Sequence, residues 1–211
     1  MKFFSMRPDR KDRTNLLAEF AVSADHFKPC ADCGRVPFEY RDHLDLAIRW
    51  QRDRWNPNRS VVTDFTWPGG LSNLVVSERA KSLLCEVSSV SFTSVSILPF
   101  MRASRSTRSR GKLDDVTSVQ LWYAKTSSVA RLDCDQSHCS ITMNCKQCGS
   151  MLLERETGFP MVIIKSNWDG AELFRIAELG GVHYVTEPLM NRLEVAKLSN
   201  VRFHQVGEMR G

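Results

Sequence analysis

At 211 residues the chain is long enough to bury a sizeable core without disulfides. Its 42% hydrophobic and 25% charged residues exclude global disorder, and no run of 18 apolar residues predicts a membrane-spanning helix. A formal charge of +5 is too mild to point to nucleic acid by itself.

The opening MKFFSMRPDRKDR lacks the apolar stretch of a secretory signal, which predicts a cytoplasmic protein. Phe3-Phe4 begins a predicted strand. Residues 42–53 carry Leu44, Ala47, Ile48 and Gln51 at helical spacing and predict a short amphipathic helix. Trp50, Trp55 and Trp67 cluster near it, either as core or as interface anchors. From Val87 to Leu98 apolar residues alternate with Ser and Thr, as in a half-buried strand, and Val119, Leu121 and Tyr123 alternate likewise. Between them, MRASRSTRSRGK (101–112) has no apolar periodicity and reads as a solvated loop or as a contact for an acidic or nucleic-acid partner. Met161 to Ile164 reads as a short buried strand.

Segments 64–92 and 173–203 resemble each other. In each, a Phe (Phe65, Phe174) stands at the same distance before a Ser/Thr-Glu pair, Ser77-Glu78 or Thr186-Glu187. A short apolar strand, 74–76 or 182–185, leads into the pair. A helix follows, with Ala80, Leu83, Leu84 and Val87 in one copy and Leu189, Leu193 and Ala196 in the other. Each closes on Val-x-Phe, at Val90 and at Val201. Ser77 and Thr186 suit N-caps, Glu78 and Glu187 suit the first turn, and Pro188 suits an early helical position. The predicted fold is α+β: two similar strand–helix–strand units around a mixed sheet, in a single domain spanning 1–211. Chance similarity of two ordinary core units is the other reading.

The seven cysteines carry the chemistry. Cys30 and Cys33 form Cys-Ala-Asp-Cys-Gly, and Cys145 and Cys148 form Cys-Lys-Gln-Cys-Gly. Two residues between thiolates let both sulfurs turn to one ion, and the glycine after the second permits a positive φ. Two such knuckles supply the four sulfurs of a closed structural Zn²⁺ site. They predict a zinc-ribbon-like module built from about 26–40 and 134–153. A compact zinc ribbon spaces its knuckles by about 15–20 residues; here the whole of 34–144 lies between Cys33 and Cys145. The metal therefore clamps distant parts of the chain, or spans an insertion. Cys134 and Cys139 flank His138 and read as loop packing or as a second, partial site. Cys85 reads as a buried thiol on the apolar side of a helix.

Pro29-Cys30-Ala31-Asp32-Cys33 matches half of the zinc-deaminase signature, but no His-x-Glu occurs to supply the third ligand and the general acid/base. Four thiolates would also leave no coordination position for water. No P-loop, GxGxxG, GxSxG or HExxH is present, and the histidines at 26, 43, 138, 183 and 204 are scattered. The expectation is a protein without catalytic residues.

The two widely spaced CxxCG knuckles resemble the double-CXXCG motif family, first noted as paralogues in myxobacteria. The C-terminal segment, with Phe174-Arg175-Ile176, Val185-Thr186-Glu187 and Val201-Arg202-Phe203, is similar to that family's ending. The resemblance implies an immunity protein that binds and neutralises one cognate toxin of a contact-dependent, type VI or polymorphic-toxin system. It carries the metal-ligand role to Cys30, Cys33, Cys145 and Cys148 and no toxin-binding residue to any position. The Arg-rich stretch 101–112 is not a feature of the resemblance. It motivates the alternative, a zinc-ribbon nucleic-acid-binding regulator.

Overall fold

The computed structural model describes residues 1–9, 17–20, 29–35, 46–51, 61–68, 73–98 and 119–211. The Arg-rich stretch 101–112, Trp55, His26 and His43 lie outside them, as do 26–28 and 36–40 of the expected zinc module. In chain order come β1 (Lys2–Arg7), β2 (Leu17–Phe20), β3 (Ala47–Gln51), β4 (Phe65–Thr66) and β5 (Val75–Ser77). Helix α1 (Glu78–Leu84) leads to β6 (Val90–Leu98), β7 (Leu121–Thr126) and β8 (Val129–Ala130). A ribbon of β9 (Cys139–Asn144) and β10 (Met151–Arg155) precedes β11 (Met161–Ile164), β12 (Leu173–Ile176) and β13 (His183–Thr186). Helix α2 (Glu187–Val195) and β14 (Arg202–Arg210) complete the described elements.

These strands make two mixed six-stranded sheets, β2-β3-β6-β7-β5-β4 and β11-β14-β1-β13-β12-β8, so the class is α+β. Neighbours β4-β5-β7-β6-β3 of one sheet run in the same relative senses as β12-β13-β1-β14-β11 of the other: three antiparallel pairs, then a parallel one. The place that β7 takes in the first sheet is taken in the second by β1, from the start of the chain.

Each helix follows a strand for a local reason. Ser77 caps α1 by accepting the Ala80 N–H, and Glu78 lies in the first turn, where the helix dipole favours a carboxylate. Thr186 occupies the same place before α2, but its hydroxyl makes no cap bond and is buried without a partner among the described residues. Pro188 has removed one of the N–H groups that a cap side chain normally takes. Both helices bury their apolar faces in one shared core. Val76 and Val185, Ala80 and Leu189, and Leu84 and Leu193 all belong to it, each pair separated by the same offset along the chain. The turns after the helices reach across to the opposite sheet in matching fashion. Asn200 Nδ2 donates to the Phe65 carbonyl at 2.8 Å, and Ser89 Oγ donates to the Leu173 carbonyl at 3.2 Å. Asp64 anchors the same junction, accepting from Ser77 Oγ, Ser199 N–H and Ser199 Oγ at 2.8–3.0 Å.

Several expectations need correction. Segments 64–92 and 173–203 each hold two strands before the helix, because β4 and β12 pair antiparallel with β5 and β13. The two phenylalanines are not equivalent. The Ser77 N–H donates to the Asp64 carbonyl and the Thr186 N–H to that of Glu172, both at 3.0 Å, so Phe65 corresponds in register to Leu173. The described part of the expected helix 42–53 is strand β3. Ile48 and Trp50, at alternate positions, are both buried, and β2 and β6 flank them. Trp50 is thus core, and Trp67 is half-buried with its indole N–H donating to the Asn200 carbonyl. Cys85 is exposed, at the C-terminal cap of α1 rather than on its apolar side.

Gly207 marks the tightest approach in the second sheet. A Cβ there would stand 2.1 Å from the Met161 carbonyl oxygen and 2.4 Å from Phe3 Cζ. Gly207→Ala is expected to cost about 3 kcal/mol, the upper end of ordinary overpacking. Urea unfolding checks it, as a lower midpoint at unchanged slope.

Candidate metal centre

The two knuckles fold alike. In the first, the Cys30 N–H donates to the Arg35 carbonyl at 2.7 Å and the Gly34 N–H to the Cys30 carbonyl at 2.8 Å. In the second, the Cys145 N–H donates to the Ser150 carbonyl at 2.9 Å and the Gly149 N–H to the Cys145 carbonyl at 2.8 Å. Gly34 and Gly149 both have φ of +68°, the left-handed conformation that glycine adopts without a Cβ penalty. The second knuckle is the turn between β9 and β10, and the ribbon presents it to the first.

The four sulfurs converge. Cys30 Sγ lies 3.7 Å from Cys145 Sγ, and Cys33 Sγ lies 3.5 Å from Cys148 Sγ. All four fall within 4.8 Å of one another. Tetrahedral Zn–S bonds of about 2.3 Å require sulfurs about 3.8 Å apart, near the two pair separations given, so these residues lie close enough to hold such an ion. Pairing is first with first and second with second, each across 115 residues. Cys30 and Cys145 are buried, while Cys33 and Cys148 are partly exposed.

The surroundings divide the thiols. The Ser150 hydroxyl, 3.1 Å from Cys148 Sγ, and then the Ser150 N–H bring the Cys148 thiol down to about 6. At Cys33 the Arg35 N–H acts in the same direction, but burial and the neighbouring thiols of Cys148, Cys145 and Cys30 outweigh it and push the group up to about 12. Four thiolates cannot crowd together without a cation, so a metal entering the cluster must displace protons. Gln147, inside the second knuckle, reaches across to the first. Its Oε1 is 3.0 Å from Cys30 Sγ and accepts the Asp32 N–H at 3.3 Å. Sequence reasoning missed Gln147 and Ser150; their places inside and just after a CxxCG unit were the available signal.

Among the described residues no other set of three or more His, Cys, Asp or Glu side chains converges in this way. Cys134 and Cys139 do not join the cluster. His138 stacks on Phe159 with ring centroids 3.7 Å apart and faces Glu156, His183 is buried, and His204 is exposed. No helix of the described residues is long and apolar enough to cross a membrane. The chain matches no known family model, and no curated protein matches it.

Two outcomes test the site. Purified protein is expected to carry one metal ion per chain. Cys30→Ser and Cys148→Ser are each expected to lose it and to melt at lower temperature, by elemental analysis and thermal unfolding. Stoichiometric metal in both variants would show a different ligand set. Second, Cys148 is brought down to about 6 while Cys33 is pushed up to about 12. Loading at pH 5 is therefore expected to release about one more proton per ion than at pH 7, with affinity falling more steeply below pH 6. Calorimetry in buffers of different ionisation enthalpy reads that difference.

Proposed function

We propose that this chain is an immunity protein that binds and neutralises a cognate bacterial toxin domain, without chemistry of its own. One observation carries the reading. The two CxxCG knuckles, the feature on which the resemblance to the double-CXXCG family rests, come together as one closed set of four sulfurs. We take the ion to be Zn²⁺, held by Cys30, Cys33, Cys145 and Cys148 in a zinc-ribbon-like module. When bound it supplies charge neutralisation and cross-linking. Four thiolate ligands leave no open position for water, so its role is structural. The partner is a toxin domain in the cytoplasm, occluded by an interface of about 1,200–2,000 Å² in total. No membrane partner is involved.

We further read the single domain as two copies of one unit. The shared strand order and senses, the constant offset between the core pairs and the knuckle pairs 115 residues apart support this. In this reading each copy contributes one knuckle. β2 precedes the first knuckle, and Leu132, bridged antiparallel to Ile163 of β11, precedes the second, as β2 lies antiparallel to β3.

Co-expression tests the function. The neighbouring open reading frame is expressed in a test bacterium with and without this chain, and growth is scored. The neighbour is expected to arrest growth, and this chain to restore it and to co-purify with the neighbour's product. A neighbour that is harmless, or that kills regardless, would remove the immunity reading. The basic stretch 101–112 favours the alternative regulator. Its mark would be duplex-DNA binding that weakens with salt at a slope of about −0.9 per phosphate contact.

A further inference from the structure

The turn between β8 and β9 carries a second pair of thiols that the metal cluster does not use. The Cys139 N–H donates to the Cys134 carbonyl at 2.9 Å. Adding the intervening bonds, the two Cα atoms lie no more than about 7 Å apart, inside the range a disulfide can span. The turn is fixed rather than loose. The Ser137 N–H donates to the Asp133 carbonyl, and the Asp133 N–H donates to the Val162 carbonyl, both at 2.9 Å. The buried Ser137 hydroxyl accepts the Val162 N–H of β11 at 2.8 Å. His138, at φ +49°, takes a left-handed conformation just before Cys139, and the Cys139 N–H closes the turn on the Cys134 carbonyl. Both cysteines are partly exposed and line an open depression of about 500 Å³ with Asp135, His138, Glu154 and Glu156.

We propose that Cys134 and Cys139 are a redox-active dithiol, a modification site separate from the metal cluster, which a peroxide converts to an intramolecular disulfide. Burial and then the neighbouring Cys134 thiol disfavour the Cys139 thiolate, so Cys134 attacks first and Cys139 serves as the resolving thiol. Cys134 sulfur attacks one peroxide oxygen. The O–O bond breaks, Cys134 becomes a sulfenic acid, and the other oxygen leaves as water with the Cys134 proton. Cys139 sulfur then attacks Cys134 sulfur. The S–O bond breaks, the S–S bond forms, and hydroxide takes the Cys139 proton and leaves as water. Two thiols are oxidised by two electrons, and one hydrogen peroxide is reduced to two waters. The product is a covalent staple at the root of the ribbon that holds Cys145 and Cys148.

The test uses full-length, zinc-loaded protein and hydrogen peroxide. Remaining thiols are alkylated, the protein is digested without reductant, and the peptides are weighed while bound zinc is followed. The expected result is loss of two alkylation sites, at 134 and 139, in a peptide two hydrogens lighter and with zinc retained. Dithiothreitol is expected to restore both sites. Cys134→Ser and Cys139→Ser, each checked for unchanged zinc content, are expected to abolish the lighter peptide. Alkylation of both cysteines under peroxide that already releases zinc would overturn the proposal. So would a disulfide from either residue to a knuckle cysteine or to Cys85.

Discussion

The second sheet exists only because β1 is inserted into its middle. β1 pairs with β13 on one side and β14 on the other. Without it the sheet divides into β11-β14 and β13-β12-β8, and two central strands lose a row of backbone partners in a buried setting. Phe3 shows how much converges there. Its ring packs edge-on against Phe174 and Tyr184, with centroids 5.8 and 5.9 Å away, and closes over Gly207. Met6, also fully buried, belongs instead to the core that both helices share. One strand therefore joins two cores. The first sheet has no such dependence, since β7 follows β6 in the chain. Closing so long a loop costs little more entropy than closing a shorter one, so such a distant strand can be recruited.

The sulfur cluster makes a second, shorter long-range closure, across 115 residues, at a different place. It ties the segment just after β2 to the ribbon before β11. In the unfolded chain the knuckles are independent pairs of thiols, so the free energy of assembling four ligands on one ion becomes folding free energy. Burial and the neighbouring thiols favour a proton on Cys33, which a cation entering the cluster must displace. The β1 insertion is held by apolar packing and backbone pairing; an ion bound by the four sulfurs would hold this one by charge.

What was legible in the sequence was local. The CxxC spacing within each knuckle, alternation along β6, the Ser77 cap and the apolar run 161–164 all have causes within a few residues. The expected helix 42–53 failed in its described part for the opposite reason. Ala47, Ile48 and Gln51 fit a helical face, yet β2 and β6 recruit Ala47–Gln51 as a strand, and Trp50 takes the next inward place after Ile48. The parallel pairing of β3 with β6 is a tertiary fact with no local signature. Alignment by Phe65 and Phe174 failed by a single position because large side chains are conspicuous and backbone register is not. The stretch from Glu172 to Thr186 is longer by one than that from Asp64 to Ser77, and the extra residue falls in a connection that includes Gly180 and Gly181. Cys85 fits the apolar period of α1, but the helix ends at Leu84, so the period no longer decides its side.

The long separation of the knuckles, awkward for a zinc ribbon, has a simple account if the chain is two copies of one unit. Each copy then owns one knuckle, and a single knuckle offers only two of the four sulfurs that a closed site needs. On that reading the residues between them would be the body of the first copy and the lead-in to the second, not an insertion. An ion needing both knuckles would hold the copies at one spacing, and Cys30 beside Cys145 with Cys33 beside Cys148 is the pairing a two-fold rotation would give. The helices repeat the arrangement in apolar form, with Ala80 and Leu84 meeting the same core as Leu189 and Leu193. An ion in the cluster would clamp the fold at one place, and the shared core holds it at another. For the occluding binder proposed above, such clamping would leave less ordering entropy to be lost when the partner docks.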